Sequence, residues 1–291
     1  MHDKPPRPEA PLPRTLAATT AVPRLSISRD DYTAIHEFLE RQAGIRLGAG
    51  KEYLVTSRLG RLLRTHDLAD FSELIRRLGQ LNSRQLQVAV VDAMTTNETF
   101  WFRDPAHYRI LTDFVLAQSG TKPLRIWSAA CSTGQEPYTI AMLLNEGRAG
   151  RPAGNVNIVG TDISTVALAQ AREGRYCGLS ASRGLADEQR RRYFAQEGDC
   201  LSVLPQYRRG VEFREFNLLR PYDTLGRFDI VFCRNVLIYF SAERKRDILE
   251  RLARVLNPGG YLFLGSTESM NGHADLFEMH NQFGGLVYRR R

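Results

Sequence analysis

From residue 124 to the C-terminus, short apolar runs alternate with amphipathic stretches, and this alternation restricts the fold more than any other feature of the chain. The runs read LRIW, VNIVG, VEF, FDIVF, YLFLG and GLVY, with helical patterning over 137–144, 165–171 and 242–256 among them. Strands that are apolar at nearly every position must bury both faces, and parallel strands joined by covering helices do so. The pattern predicts a doubly wound α/β domain over 106–291. One stretch breaks it. A helical segment over 186–194, a Gly198-Asp199 turn and an apolar strand over 201–204 predict a small inserted β-subdomain at about 176–208.

Upstream the texture is helical. Ser28 followed by Asp31 has the form of an N-cap, and Tyr32, Ile35, Phe38 and Leu39 recur at helical spacing up to Gly44. Three further stretches, 51–65, 71–78 and 83–94, are separated by short connections and predict an all-α N-terminal domain over 25–94. A linker, 95–105, leads into the α/β domain. Six of the thirteen prolines fall within the first 23 residues, where no periodic apolar face occurs, which predicts a disordered tail over 1–24.

Composition removes several function classes. With 43% hydrophobic residues, no window approaches the ~18 unbroken apolar positions of a membrane span, so no membrane insertion is expected. The N-terminus lacks the apolar core of about 7 to 15 residues that a secretory signal needs, so the expected compartment is cytoplasmic. Cys131, Cys177, Cys200 and Cys233 are scattered without a C-x-x-C pair. They are expected to be reduced and mostly buried, with neither a zinc site nor a disulfide framework. The formal charge of +8 points to an acidic partner, and the charge is concentrated: residues 41–66 hold six basic side chains against Glu52 alone. Among them Arg58, Arg61 and Arg64 recur every three residues opposite Val55, Leu59, Leu62 and Leu63, predicting one exposed basic stripe, either a docking face or simply a solvated one.

Four stretches carry candidate chemistry. In RIWSAACSTGQEPY a strand ends in small residues before a helix, the crevice where open parallel sheets bind ligands, although a tight turn needs small residues in any case. The glycine pattern is not G-x-G-x-x-G, so a dinucleotide is not indicated. The next strand ends in Asp162, which either accepts hydrogen bonds from the ribose hydroxyls of an adenosyl ligand or caps the following helix, as Ser164 also could. FDIVFCRNVLIYF brings Arg234, Asn235 and Tyr239 to the same sheet edge, with Tyr239 either at the site or in the core. TTNETFWFRD interleaves Asn97, Thr99 and Arg103 with Phe100, Trp101 and Phe102 between the domains. LNPGGYLFLGSTES reads as a purely structural phrase.

Taken in order, TTNETFWFRD, SAACSTGQEPY, TDIS, FNL at 216–218 and FCRNVLIYF closely resemble the chemotaxis receptor methyltransferases, the CheR family, over about 26–290. The resemblance implies a class I S-adenosylmethionine-dependent methyltransferase domain without a metal, forming glutamate methyl esters on chemoreceptors and leaving S-adenosylhomocysteine. Carried over by motif, Asn97, Thr99, Arg103, Ala130, Glu136, Asp162, Asn217, Leu218, Arg234 and Asn235 would surround the cofactor. Arg103 and Tyr239 would lie closest to the transferred methyl. It further implies that the basic stripe docks on the cytoplasmic helical bundle of the receptors, with no nucleic acid partner and with the enzyme a monomer. The connection AQEGDC over 195–200 is shorter than in members that bind a receptor C-terminal peptide, so no such tether is expected. Two alternatives remain: another S-adenosylmethionine enzyme, acting on RNA or a small molecule, and a non-catalytic binding module, against which intact Arg103, Tyr239 and Asp162 speak.

Overall fold

A computed structural model describes residues 25–118, 122–146, 156–178, 181–270 and 275–291; the proline-rich segment over 1–24 lies outside the described residues. Ser28 opens α1 (Arg29–Ala43) by accepting the Asp31 amide at 3.0 Å, and the helix stops at Gly44, whose φ of 71° is the left-handed conformation that a side chain would resist. A Cβ there would also strike the Phe240 ring of the second domain. The helices α2 (Glu52–Thr65), α3 (Phe71–Leu78) and α4 (Arg84–Met94) follow, within two residues of the bounds that apolar periodicity predicts. Together they bury Ile35, Leu39, Val55, Leu59, Leu74 and Val90 completely.

The second domain begins with α5 (Pro105–Arg109), a π-helical stretch (Ile110–Val115) and α6 (Leu116–Gln118), a helical run additional to those expected above. Its sheet comprises β1 (Leu124–Ala129), β2 (Val156–Asp162), β6 (Val211–Glu215), β7 (Phe228–Cys233), β8 (Leu256–Leu264), β9 (Phe277–Gln282) and β10 (Gly285–Arg290) in the order β6-β2-β1-β7-β8-β10-β9. The first five in that order run parallel, while β10 is antiparallel to both its neighbours. Consecutive residues serve opposite faces. Ile126, Ile158, Phe232 and Phe263 pack on one side, and Trp127, Val159, Val231 and Leu262 on the other. Continuous apolar runs are the consequence of burying both faces. The covering helices include α7 (Gln135–Glu146), α8 (Thr165–Glu173) and α11 (Ala242–Val255).

The insertion contains β3 (Arg175–Cys177), α9 (Asp187–Tyr193), β4 (Phe194–Glu197), β5 (Cys200–Val203) and α10 (Pro205–Arg208), with an antiparallel sheet ordered β3-β5-β4. It corrects two expectations. Strand β4 carries three exposed residues out of four, so it has no apolar signature. Cys177 and Cys200 stand directly opposite each other in the β3–β5 register, with Cα atoms 4.0 Å apart, and form a disulfide. Cysteine spacing along the chain is silent about cross-strand register, and these two are therefore not reduced thiols. Cys131 and Cys233 are free and buried.

Candidate active site

The sheet register creates the site. Ala129 is level with Thr161 on one side and Cys233 on the other, so the connections after β1, β2 and β7 leave the sheet along one edge. A cavity of about 290 Å³ opens there. The linker brings Asn97, Thr99 and Arg103 to it, the turn after β1 brings Ala130, and the first turn of α7 brings Glu136. Asp162 stands at the tip of β2, Asn217 and Leu218 follow β6, and Arg234, Asn235 and Tyr239 follow β7. The opposite wall comes from the helical domain through Ile45, Leu47, Lys51, Leu54 and Arg58.

Asp162 is buried, and its two oxygens accept the Ser132 and Ser164 amides, each at 2.8 Å. Burial pushes its carboxyl above the usual carboxylate range, against the pull of those amides. The Ile163 amide also faces this carboxylate, and with about four acceptor positions it keeps capacity for a ligand hydroxyl. Capping falls to Ser164, whose Oγ accepts the Ala167 amide at 3.2 Å. The loop that Asp162 holds is bent: Ala130 and Ser132 adopt φ of 57° and 52°, conformations that non-glycine residues rarely take.

Beneath the cavity Arg234 forms a floor. Its side chain is only 2% exposed, and it donates to Glu136 at 2.8 Å, Asp104 at 2.6 Å and the Arg103 carbonyl at 2.7 Å. Burial alone would favour the neutral guanidine, but Glu136, Tyr108 and Asp104 outweigh it and keep the group charged. Glu136 is completed by the Ser128 hydroxyl at 2.6 Å. Arg103, by contrast, is weakly held: among the described residues its guanidinium donates only to the Glu98 carbonyl, at 3.5 Å, and lies over the Phe100 ring. Like Lys51 on the opposite wall, it has no ion-pair partner among the described residues and is available to an anionic group.

Residues 30–95 match the CheR methyltransferase, all-alpha domain, and residues 97–284 match the CheR methyltransferase, SAM binding domain. The chain belongs to the CheR methyltransferase family. A chemotaxis protein methyltransferase of Vibrio parahaemolyticus is 46% identical over 270 residues, covering 91% of this chain and 98% of that protein. Chemotaxis protein methyltransferase 1 of Pseudomonas aeruginosa is 46% identical over 275 residues, covering 92% and 100%. The Escherichia coli chemotaxis protein methyltransferase is 35% identical over 265 residues, covering 89% and 91%. Among the described residues, no helix is long and apolar enough to cross a membrane.

The CheR all-alpha domain is part of the site rather than an appendage. Asn217 donates to the Gln42 carbonyl at 2.7 Å, and the Arg46 amide donates to the Tyr239 carbonyl at 3.3 Å. Arg58 departs from the expected exposed stripe. It is half-buried in the cavity wall and donates to the carbonyls of Met94 and Thr95 at 2.8 and 3.0 Å and to the Thr96 hydroxyl at 3.1 Å. Arg61 and Arg64 are exposed and lie away from the cavity. Helical spacing places a residue on a face, but a carbonyl arriving from a segment 36 residues away is a tertiary event. Ser132 and Glu268 also contribute, with no local signal that marks them. Asp104 does have a signal, since an acid directly after Arg103 in FRD stands beside the site by adjacency alone.

Proposed function

We propose that this CheR-family chain transfers a methyl group from S-adenosylmethionine to glutamate side chains on the cytoplasmic helical bundle of methyl-accepting chemoreceptors, acting in the cytoplasm as a monomer. The carrying observation is the convergence, in one cavity, of a weakly held Arg103, Tyr239 and a buried Asp162 that keeps acceptor capacity. The residues present suit the cofactor: Asp162 for ribose hydroxyls, the small Ala130 where the backbone must be approached, and Asn97 and Asn217 as amide partners. When bound, S-adenosylmethionine supplies a methyl group activated by a sulfonium.

The protein has little proton chemistry to do. A glutamate with a reference pKa of about 4.3 is already ionised at neutral pH, so no general base is required. Arg103 has the planar fork to hold a carboxylate, and the Tyr239 hydroxyl orients the target oxygen. What these groups contribute is orientation, the main lever left for a reaction that unites opposite charges. Docking runs through the exposed face of α2 that carries Arg61 and Arg64. The two-residue Gly198-Asp199 turn of the β4–β5 hairpin leaves little room to clamp a receptor C-terminal peptide.

The test is a methylation assay with labelled S-adenosylmethionine and receptor cytoplasmic fragments, scored by methanol released in mild base. Base-labile label on glutamate is expected. Label that survives base, or that appears on RNA rather than protein, would replace this reading with a different acceptor.

A further inference from the structure

The segment that leaves β7 presents Asn235, Val236 and Tyr239 to the cavity. It starts with Asn235 at φ 58°, in the left-handed region that Asn tolerates better than most residues with a side chain. Its C-terminal end is tied to the helical domain through the Arg46 amide on the Tyr239 carbonyl, and through Phe240 against Gly44. Its N-terminal end is tied by Glu268, in the STES stretch that follows β8.

Glu268 is 9% exposed and uses both carboxylate oxygens. Oε2 accepts the amides of Asn235 and Gly265, each at 2.7 Å, and Oε1 accepts the amide of Ile238 at 3.3 Å. It thus joins the exits of two neighbouring parallel strands, β7 and β8. A Cβ at Gly265 would fall on both the Asn235 amide and the Glu268 carboxylate, so the glycine leaves the space this arrangement needs. Glu268 is not among the residues that line the cavity.

We propose that Glu268 is a positioning residue for methyl transfer: from behind the cavity wall it binds the Asn235 and Ile238 amides and thereby fixes where the Tyr239 hydroxyl stands. The proposal rests on the methyltransferase reading above. Three amides arriving from two strand exits need two acceptor oxygens on one side chain. Glutamine offers one acceptor oxygen and turns an NH2 donor toward an N–H donor. Alanine leaves all three amides without the partner they have here.

The full-length chain is assayed as wild type, Glu268→Gln, Glu268→Ala, Tyr239→Phe and the Glu268→Gln/Tyr239→Phe double variant, with a receptor cytoplasmic fragment and labelled S-adenosylmethionine. The expected result is a fall in kcat of about tenfold for Gln and about a hundredfold for Ala, with KM for the receptor fragment unchanged and the Gln variant folded by circular dichroism. In the Tyr239→Phe background, Glu268→Gln should add little, because both changes act on the same hydroxyl. Wild-type kcat in Glu268→Gln overturns the proposal, as does a full additive loss in the double variant, which is the signature of a merely structural role. The Gln variant and the cycle decide the matter even where Ala fails to fold. A wild-type chain that labels no receptor fragment sinks the methyltransferase reading itself, and the proposal with it.

Discussion

Asp162 holds the backbone amides of Ser132 and Ser164 as well as facing the cavity, so its loss should be felt in the loop and in the ligand. Asp162→Ala is expected to weaken S-adenosylhomocysteine binding by about 1.5–3 kcal/mol, the scale of hydrogen bonds to a charged group. Titration calorimetry measures it, and unchanged affinity would remove Asp162 from the site. His107 offers a second test at this scale. It is buried against Phe263, and burial together with the Arg234 charge, opposed by Asp104, lowers its pKa from 6.5 to about 4. Because the folded chain resists protonating it while the unfolded chain does not, the stability it contributes is full above pH 6.5 and lost as pH falls toward 4. The loss amounts to about 3 kcal/mol, at roughly 1.4 kcal/mol per tenfold change in proton affinity. Urea unfolding between those pH values should show this slope in the wild type. A slope unchanged in His107→Phe would assign it to other groups.

The helix α2 divides its basic residues between two tasks, and substitutions should separate them. Arg61 and Arg64 face solvent, whereas Arg58 holds the end of α4 and the start of the linker. Arg61→Glu with Arg64→Glu is expected to slow receptor methylation, the more so at low salt, since exposed charges beyond ~10 Å are screened at 0.1 M. Cofactor affinity should stay as it was. Arg58→Ala should instead weaken S-adenosylhomocysteine binding by about 1–3 kcal/mol, because it frees the segment that carries Asn97 and Thr99. Receptor kinetics measured across a salt series, alongside calorimetry, distinguish the two; equal effects from both variants would mean that α2 acts as one undivided face.

On the scale of the whole molecule, the cavity belongs to neither domain alone. One wall is the sheet edge, the other is Ile45, Leu47, Lys51, Leu54 and Arg58, and the two are joined by Asn217 to Gln42 and Arg46 to Tyr239. A chain lacking residues 25–95 should therefore lose at least about tenfold in affinity for S-adenosylhomocysteine while keeping the circular dichroism of its sheet. Retained affinity in that truncated chain would show that the helical domain serves docking only.

Local periodicity, capping and the rule that parallel strands end at a common edge suffice for the layered architecture, the bounds of the four N-terminal helices and the placing of Asp162, Arg234, Asn235 and Tyr239. The remaining site residues, Asn217 and Leu218 among them, are legible only through the resemblance to the family. Phe232 and Ile126 read as core from their neighbours along the chain, and Asp162 reads as a strand-tip acid. The rest depends on contacts between segments far apart in the chain. The Cys177–Cys200 bond depends on cross-strand register, Arg58 turns inward because distant carbonyls wait for it, and Glu268 matters because β8 ends beside β7. Strand β4, with three of its four residues exposed, had no apolar period to announce it. Hydrophobic patterning records which face of an element is buried; it holds no record of which polar groups meet when elements from distant parts of the chain are brought together.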